Sequence, residues 1–437
     1  MRHRWLNRGI SVYGLWLTAI AMVIDGSAAV TFGQSESLTD SVATDFPPET
    51  IQFDPPPGPD YFRNGLSAPG VLWLSVEAVF GQVRESKSLI GSPDATQNFR
   101  DFYAASGGAL GGDRVGTEFL EPGLVGQKSD DDLAPGLRVK LGWRNEENGG
   151  VELSGLWLDD VTRSWSRGIG GLDAGANPDT VRVTAAIPLF DGADGYAVPF
   201  DQYYGISIRS DVRSLGGDYA PWGFWAGTVL LQPTAGMRYF SIDEGFAFAG
   251  ADSGLDYEYE QNGVPIPESL DPPVVAFPPY QSSLSSDSET SLVGPVMGLN
   301  VTTTGKKVRF FSQSRGGWMY AESDLSLRGQ GMGNGFAPGF DPLAAFADSR
   351  SSSYDSGYFE QSLGADIDLG RIFNGGLWSA EPGALILRLG CSLTVFQDVA
   401  RPLDAVVWNG FPLSPELKDN TVRWQLQTFN SGIVFQY

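Results

Sequence analysis

The sequence predicts an all-β protein: a single closed antiparallel transmembrane β-barrel of about ten strands, with twelve as the alternative count. Three observations predict it. Apolar and polar residues alternate with period two in runs that recur from Val71 to Tyr437. The connections between those runs alternate long and short. Past the N-terminus, no apolar stretch approaches the roughly 20 residues of a spanning helix, so a membrane role falls to strands.

Composition agrees. Of 437 residues, 19% are charged and 12% aromatic, and 56 glycines and 28 prolines fit many turns and long loops. Mean hydropathy is −0.12, without the excess of a helical membrane protein. The net charge of −23 argues against a nucleic-acid partner. Cys391 stands alone and cannot form an intramolecular disulfide; closure of a barrel replaces that staple.

The chain opens with Arg2, Arg4 and Arg8, then an apolar run at Ile10–Ile24, then the small residues Gly26, Ser27, Ala28 and Ala29. This is the three-part pattern of a cleaved secretory signal, assigned to 1–33, and it predicts export to the outer membrane. Removing Arg2, Arg4, Arg8 and Asp25 takes the charge from −23 to −25. Cleavage also removes His3, the only histidine, which excludes Ser-His-Asp, Cys-His and histidine-metal chemistry from the mature chain; the expectation is no enzyme and no cofactor. Residues 34–70, acidic and rich in proline, read as an extended periplasmic linker. The barrel then occupies 71–437.

The strands follow in order. In Val71–Val83, Leu72, Leu74, Val76, Ala78 and Phe80 oppose Trp73, Ser75, Glu77 and Gly81. In Gly136–Arg144, Leu137, Val139, Leu141 and Trp143 oppose Arg138, Lys140 and Arg144, cations that suit a wet lumen better than a dry core. Val151–Leu158 sets Val151, Leu153 and Trp157 against Glu152. Tyr203–Arg213 reads with Tyr204, Ile206, Ile208 and Val212 outward and Arg209, Asp211 and Arg213 inward. Gly223–Asp243 contains Arg238 between Met237 and Tyr239. Thr290–Val301 and Lys307–Glu322 come next, the latter with Arg309 and Arg315 on one face. Tyr358–Leu369 puts Glu360, Asp366 and Asp368 opposite Phe359, Leu363 and Ile367. Ala384–Phe396 puts Arg388 opposite Leu387, Leu389 and Cys391.

The last strand, Arg423–Tyr437, carries Phe429, Ile433, Phe435 and Tyr437 on one face. Alone it suits a soluble sandwich edge equally well; its repetition upstream favours the barrel. In a barrel, this C-terminal strand is the element offered to the barrel-assembly machinery. Phe246–Tyr259, with alternating aromatics, is the hairpin that would raise the count to twelve.

With the first strand running outward, 84–135, 159–202, 244–289, 323–357 and 397–420 are outer loops, and both termini are periplasmic. Asp130, Asp131, Asp132, Asp159, Asp160, Asp252, Asp256, Glu258 and Glu260 then fall in outer loops, where divalent cations could bridge them, although no EF-hand spacing is present.

The chain resembles the bacterial outer-membrane beta-barrel porins grouped as family seven, a domain of otherwise unknown function. The resemblance rests on Val71–Ala78, on Gly136–Trp157, on Gly236–Glu244 with its Gly-x-Arg-Tyr and Asp-Glu, on the Arg-Pro-x-Asp of Arg401–Asp404, and on Asn430–Tyr437. Thr290 and Val296 stand where the family carries amides. The resemblance implies a barrel and no catalytic residues.

The functional expectation is a narrow porin passing small solutes, its lumen lined by Glu77, Arg138, Lys140, Glu152, Arg209, Asp211, Arg213, Arg238, Arg309, Glu360, Asp366, Asp368 and Arg388. Opposed charges can also fill a small barrel as salt bridges. The alternative is therefore a non-conducting barrel that anchors and displays acidic outer loops. Outer-membrane lipid is a partner in both.

Overall fold

The computed structural model describes residues 71–84, 90–92, 118–119, 133–145, 148–168, 185–189, 196–200, 203–252, 260–261, 264–265, 280–303, 305, 308–332, 344–369, 384–410 and 413–437. The expected signal (1–33), the linker (34–70), Asp130–Asp132, Asp256 and Glu258 lie outside them.

Ten strands form one closed antiparallel barrel: β1 (Val71–Val83), β2 (Ala134–Arg144), β3 (Gly150–Gly168), β4 (Tyr203–Ala220), β5 (Val229–Asp252), β6 (Tyr280–Thr303), β7 (Val308–Gln330), β8 (Ala345–Asp368), β9 (Ala384–Ala400) and β10 (Thr421–Gln436). Each pairs with the next, and β10 returns to β1 from Trp73↔Gln436 to Val83↔Leu426. Closure leaves no barrel strand with an unpaired edge.

The count is ten and not twelve. β5 continues to Asp252, with Phe246 and Phe248 buried on its inner face, and the small pair Glu260–Gln261/Val264–Pro265 lies outside the barrel sheet. Two other pieces matter below. One is the hairpin Ala185–Leu189/Tyr196–Phe200; the other is the short pair Val406–Val407/Glu416–Leu417.

One end of the barrel, the near rim, holds the start of β1, the end of β10 and the short turns. The turn between β2 and β3 shows why it is tight. The backbone N–H of Asn145 donates to the carbonyl of Gly149 at 2.8 Å, and the Asn145 side chain accepts from the Gly149 N–H at 2.7 Å. Asn148 takes the left-handed φ of 57°, which an asparagine tolerates better than most residues.

The strands run much further toward the far rim than the alternation predicts. β5, β6 and β8 each have 24 residues. At about 3.3 Å per residue and a tilt near 40°, such a strand spans roughly 60 Å, against an apolar band of about 25 Å. The expected outer loops are therefore shorter than the sequence reading has them. Asp159 and Asp160 sit within β3 at a bulge, where the register shifts between Leu158 and Val161, and Asp252 ends β5.

Across the apolar band the residues read as outward-facing do face outward, and Leu215, Val293 and Met297 join them. Leu72, Val76, Leu137, Leu141, Leu153, Leu215, Met237, Val293, Met297, Leu389 and Ile433 are exposed. Exposed aromatics bound them at two levels, Trp143, Tyr219 and Phe310 nearer the near rim, Trp157, Tyr239 and Tyr320 farther up. Cys391 shares the outward parity of Leu389 and Leu393, opposite Leu363 and Phe429. A polar trio interrupts this wall. On adjacent β7 and β8, Ser314 donates to the Gln361 carbonyl at 2.5 Å, and the Gln361 amide donates to Ser312 at 2.9 Å and to the carbonyl of Ser362 at 3.3 Å.

Above the band the pattern inverts. In β4, Tyr204, Ile206 and Val212 are buried inward, with Ile208 packed beside them, while Arg209, Asp211 and Arg213 turn outward. This corrects the sequence reading of that strand. Apolar-out, polar-in holds only across the apolar band; beyond it, a wall around a filled interior turns its apolar side chains inward, as the rule for burial requires.

Candidate functional site

The interior is built in three layers. The layer at the near rim is charged. Glu77, fully buried, accepts from Ser75 at 2.8 Å and from Asn430 at 2.6 Å, and lies 3.9 Å from Arg138 and 3.8 Å from Arg388. Asp366 receives a two-pronged contact from Arg388 at 2.8 and 3.0 Å and a third contact from Arg309 at 3.3 Å. Arg315 is the hub of the other side: it lies 2.8 Å from Asp218, 3.5 Å from Glu152 and 3.8 Å from Glu360. Arg238 also pairs with Asp218, Lys140 lies 3.9 Å from Glu152, and the Tyr358 hydroxyl donates to Glu360.

The layer is possible because alternate residues of eight strands converge there, and because glycines leave room. A Cβ at Gly216 would collide with the Arg238 guanidinium, and one at Gly142 with the Trp73 ring.

The middle layer is apolar. Phe240, Tyr358, Phe396 and Trp424 meet across the lumen, with ring centroids 4.9 Å apart for Phe240–Phe396, 5.4 Å for Tyr358–Phe396 and 5.7 Å for Phe396–Trp424. Val79, Leu156, Leu158, Val212, Ile242, Leu292, Val296, Met319 and Leu426 complete a core. Val296, one of the two departures from the family pattern, is thus core. Thr290, the other, is buried and shares a 3.0 Å hydrogen bond with Ser323.

The far layer is a second apolar core in which the wall meets connections folded into the mouth. Tyr204, Ile206, Phe246, Phe248, Leu284, Leu325 and Leu327 come from the wall. Ile187, Leu189, Val198 and Phe200 come from the hairpin, and Leu403, Ala405, Val406, Trp408 and Leu417 from the connection between β9 and β10. The expected outer loop 397–420 is therefore a plug in its described part. Ser286 donates to the carbonyl of Pro402 at 2.9 Å, and Ser288 to that of Ala400 at 2.8 Å.

One buried ion pair fastens the plug. Arg401 donates from Nε and Nη2 to the two oxygens of Glu244, both at 2.8 Å, and from Nη1 to the carbonyl of Arg84 at 2.9 Å. Trp424 donates its indole N–H to the same Glu244 at 3.2 Å. The Gly236–Glu244 stretch and the Arg-Pro-x-Asp element, 157 residues apart at this contact, thus meet inside the barrel.

Of the expected lumenal residues, Glu77, Arg138, Lys140, Glu152, Arg238, Arg309, Glu360, Asp366 and Arg388 gather in the charged layer; Asp368 lies at its rim end. Arg209, Asp211 and Arg213 do not join them. The Arg209 and Arg213 side chains are 50% and 59% exposed on the outer face. Sequence reasoning missed Asp218, which lies between the strands expected at Tyr203–Arg213 and Gly223–Asp243, and the whole Glu244–Arg401 latch.

No family model and no curated protein matches the chain. Solved barrels do overlay. Outer membrane protease OmpT from Escherichia coli matches at a TM-score of 0.35 and 8% identity, over 85% of this chain and 97% of that one. The CymD monoaromatic hydrocarbon channel matches at 0.20 and 6%, over 85% and 88%. The TodX deltaS2S3 mutant monoaromatic hydrocarbon channel matches at 0.19 and 6%, over 84% and 90%. The protein is a ten-stranded closed barrel, and that statement rests on its own strand pairing.

Among the described residues, no group of three or more His, Cys, Asp or Glu side chains is arranged to hold a metal ion. A cavity of about 100 Å³ in the charged layer opens at the near rim. Spaces beside Arg401, toward the far side, measure about 20 Å³ each, room for about one water.

Proposed function

We propose that the chain is an outer-membrane barrel with a closed lumen, a rigid stem that carries its far rim above the lipid. The supporting observation is the filled interior: an aromatic layer lies across the lumen under a latched plug. On this reading the near rim is periplasmic, the exposed apolar band sits in lipid, and roughly 35 Å of wall stands beyond the band on the strand-length estimate above. The C-terminal strand β10, paired on both edges in the finished barrel, serves as the segment presented to the assembly machinery.

The narrow-porin reading, to which the family-seven resemblance points, has one feature in its favour, the charged cavity at the near rim. It needs both the aromatic layer and the plug to move aside. Planar-bilayer recording of the purified protein separates the two readings. The closed-stem reading expects no steady conductance, and reproducible open channels at moderate voltage would overturn it.

A further inference from the structure

We propose that the near-rim cavity is a binding site for a small zwitterion of the α-amino-acid class, its ammonium held by Glu152 and Asp218 and its carboxylate by Arg144. Glu152 and Asp218 oppose each other on β3 and β4, and both line the cavity. Asp218 is 5% exposed. Its Oδ2 takes both Arg238 and Arg315, while its Oδ1 is buried without a hydrogen bond. Glu152 Oε1 is buried too. Arg315 at 3.5 Å and Lys140 at 3.9 Å offset its charge, yet no donor forms a hydrogen bond to it. A buried carboxylate oxygen left without a donor is costly. Directly opposed strand residues have Cβ atoms about 5 Å apart, so one ammonium, with its several N–H donors, can reach both oxygens. Arg238 Nη1 and Arg315 Nε also lack hydrogen bonds, but neither residue lines the cavity. On the cavity side the deficit is one of donors.

The rest of the lining fixes the ligand's charge. Three carboxylates, Glu152, Asp218 and Asp366, share the cavity with three guanidiniums, Arg144, Arg309 and Arg388. A lone cation or a lone anion would break that balance, and a zwitterion keeps it. Two of the guanidiniums are engaged: Arg309 and Arg388 hold Asp366, and Arg388 also reaches Glu77 at 3.8 Å. Arg144, partly buried at the end of β2, forms no hydrogen bond or ion pair with any described residue, and its planar fork of donors fits a carboxylate. It opposes Gly150, which carries no side chain, and Glu152 is the next inward residue of β3. Such a diagonal spans about 7–8 Å between Cα atoms, and the two charged groups of an α-amino acid sit on one carbon, so one molecule can bridge it.

The cavity's size narrows the class. About 150 Å³ is enough for benzene, with its six heavy atoms, so about 100 Å³ suits a ligand of about five, the size of glycine, and excludes a sugar or a peptide chain. Its mouth opens at the rim carrying both barrel termini, so the ligand comes from that side. Trp73 lines the cavity and puts an indole beside the site as a reporter. The site needs no open lumen, so a conductance result bears on the stem-or-porin question and leaves this one untouched.

The test uses the full chain folded in detergent micelles, titrated separately with glycine, acetate and methylammonium at constant ionic strength, and followed by calorimetry and tryptophan fluorescence. The expected result is saturable binding of glycine, with acetate and methylammonium each bound at least tenfold more weakly. Glu152→Gln and Arg144→Gln should each weaken glycine binding tenfold or more. Arg350→Gln, which alters an exposed side chain far from the near rim, should leave it unchanged. Arg144 has no ion pair to lose, so Arg144→Gln keeps the test decisive should Glu152→Gln fold poorly. Absence of saturable glycine binding, acetate or methylammonium bound as tightly as glycine, or full glycine affinity in Arg144→Gln would overturn the proposal.

Discussion

Replacing either partner of the Glu244–Arg401 pair should cost far more than replacing both. Glu244 and Arg401 are 2% and 5% exposed. Glu244→Met takes the carboxylate away from the guanidinium and strips the Trp424 indole of its partner; Arg401→Met leaves a buried carboxylate with only the indole. Removing one member of a buried pair typically costs about 3–5 kcal/mol, whereas exchanging both for apolar side chains of similar volume is close to neutral. Each single variant should therefore lose about 3–5 kcal/mol, and the double variant should recover most of it, a coupling of at least about 2 kcal/mol. The assay is urea unfolding in micelles followed by tryptophan fluorescence, with limited proteolysis reporting release of 401–420. Single losses below about 1 kcal/mol, or a double loss equal to the sum of the singles, would refute the latch.

Three further outcomes are expected. Arg209→Ala, removing an exposed contact 3.9 Å from Asp287, should change stability by less than about 1 kcal/mol in the same unfolding assay. Gly216→Ala should displace Arg238 from Asp218 and cost about 1–3 kcal/mol by overpacking, with loss of heat-modifiable gel mobility as a second reading. Cys391, facing outward between Leu389 and Leu393, should resist a charged maleimide in the vesicle-inserted protein; fast labelling would mean that β9 is shifted by one residue.

The ten strands were legible in the sequence because one physical rule governs them across the apolar band, and Leu72, Leu141, Leu153 and Leu389 obey it. The rule stops where the apolar band stops. Arg209, Asp211 and Arg213 were assigned to the lumen because the same alternation was carried beyond the band, where water outside and a core inside reverse its sense. The plug was hidden for another reason. Leu403, Val406, Trp408 and Leu417 are too scattered to read as a strand, and the glutamate that binds Arg401 lies in a different strand. The apolar residues within a supposed surface loop, together with Arg401-Pro402-Leu403-Asp404, were the available signal. Nine of the thirteen expected lumenal residues gather in the charged layer because, at that level, their strands turn apolar side chains outward and polar ones inward.

The trio on the outer wall has a consequence for what surrounds the barrel. Both N–H groups and the carbonyl of the Gln361 amide are engaged, by Ser312, Ser314 and the Ser362 backbone. On the membrane reading proposed above, an amide within the apolar band would otherwise demand a polar companion from a second molecule. Here its hydrogen bonds are completed within the two strands that carry it. Nothing about this patch obliges the barrel to associate sideways, and a neighbour no more polar than an acyl chain satisfies it.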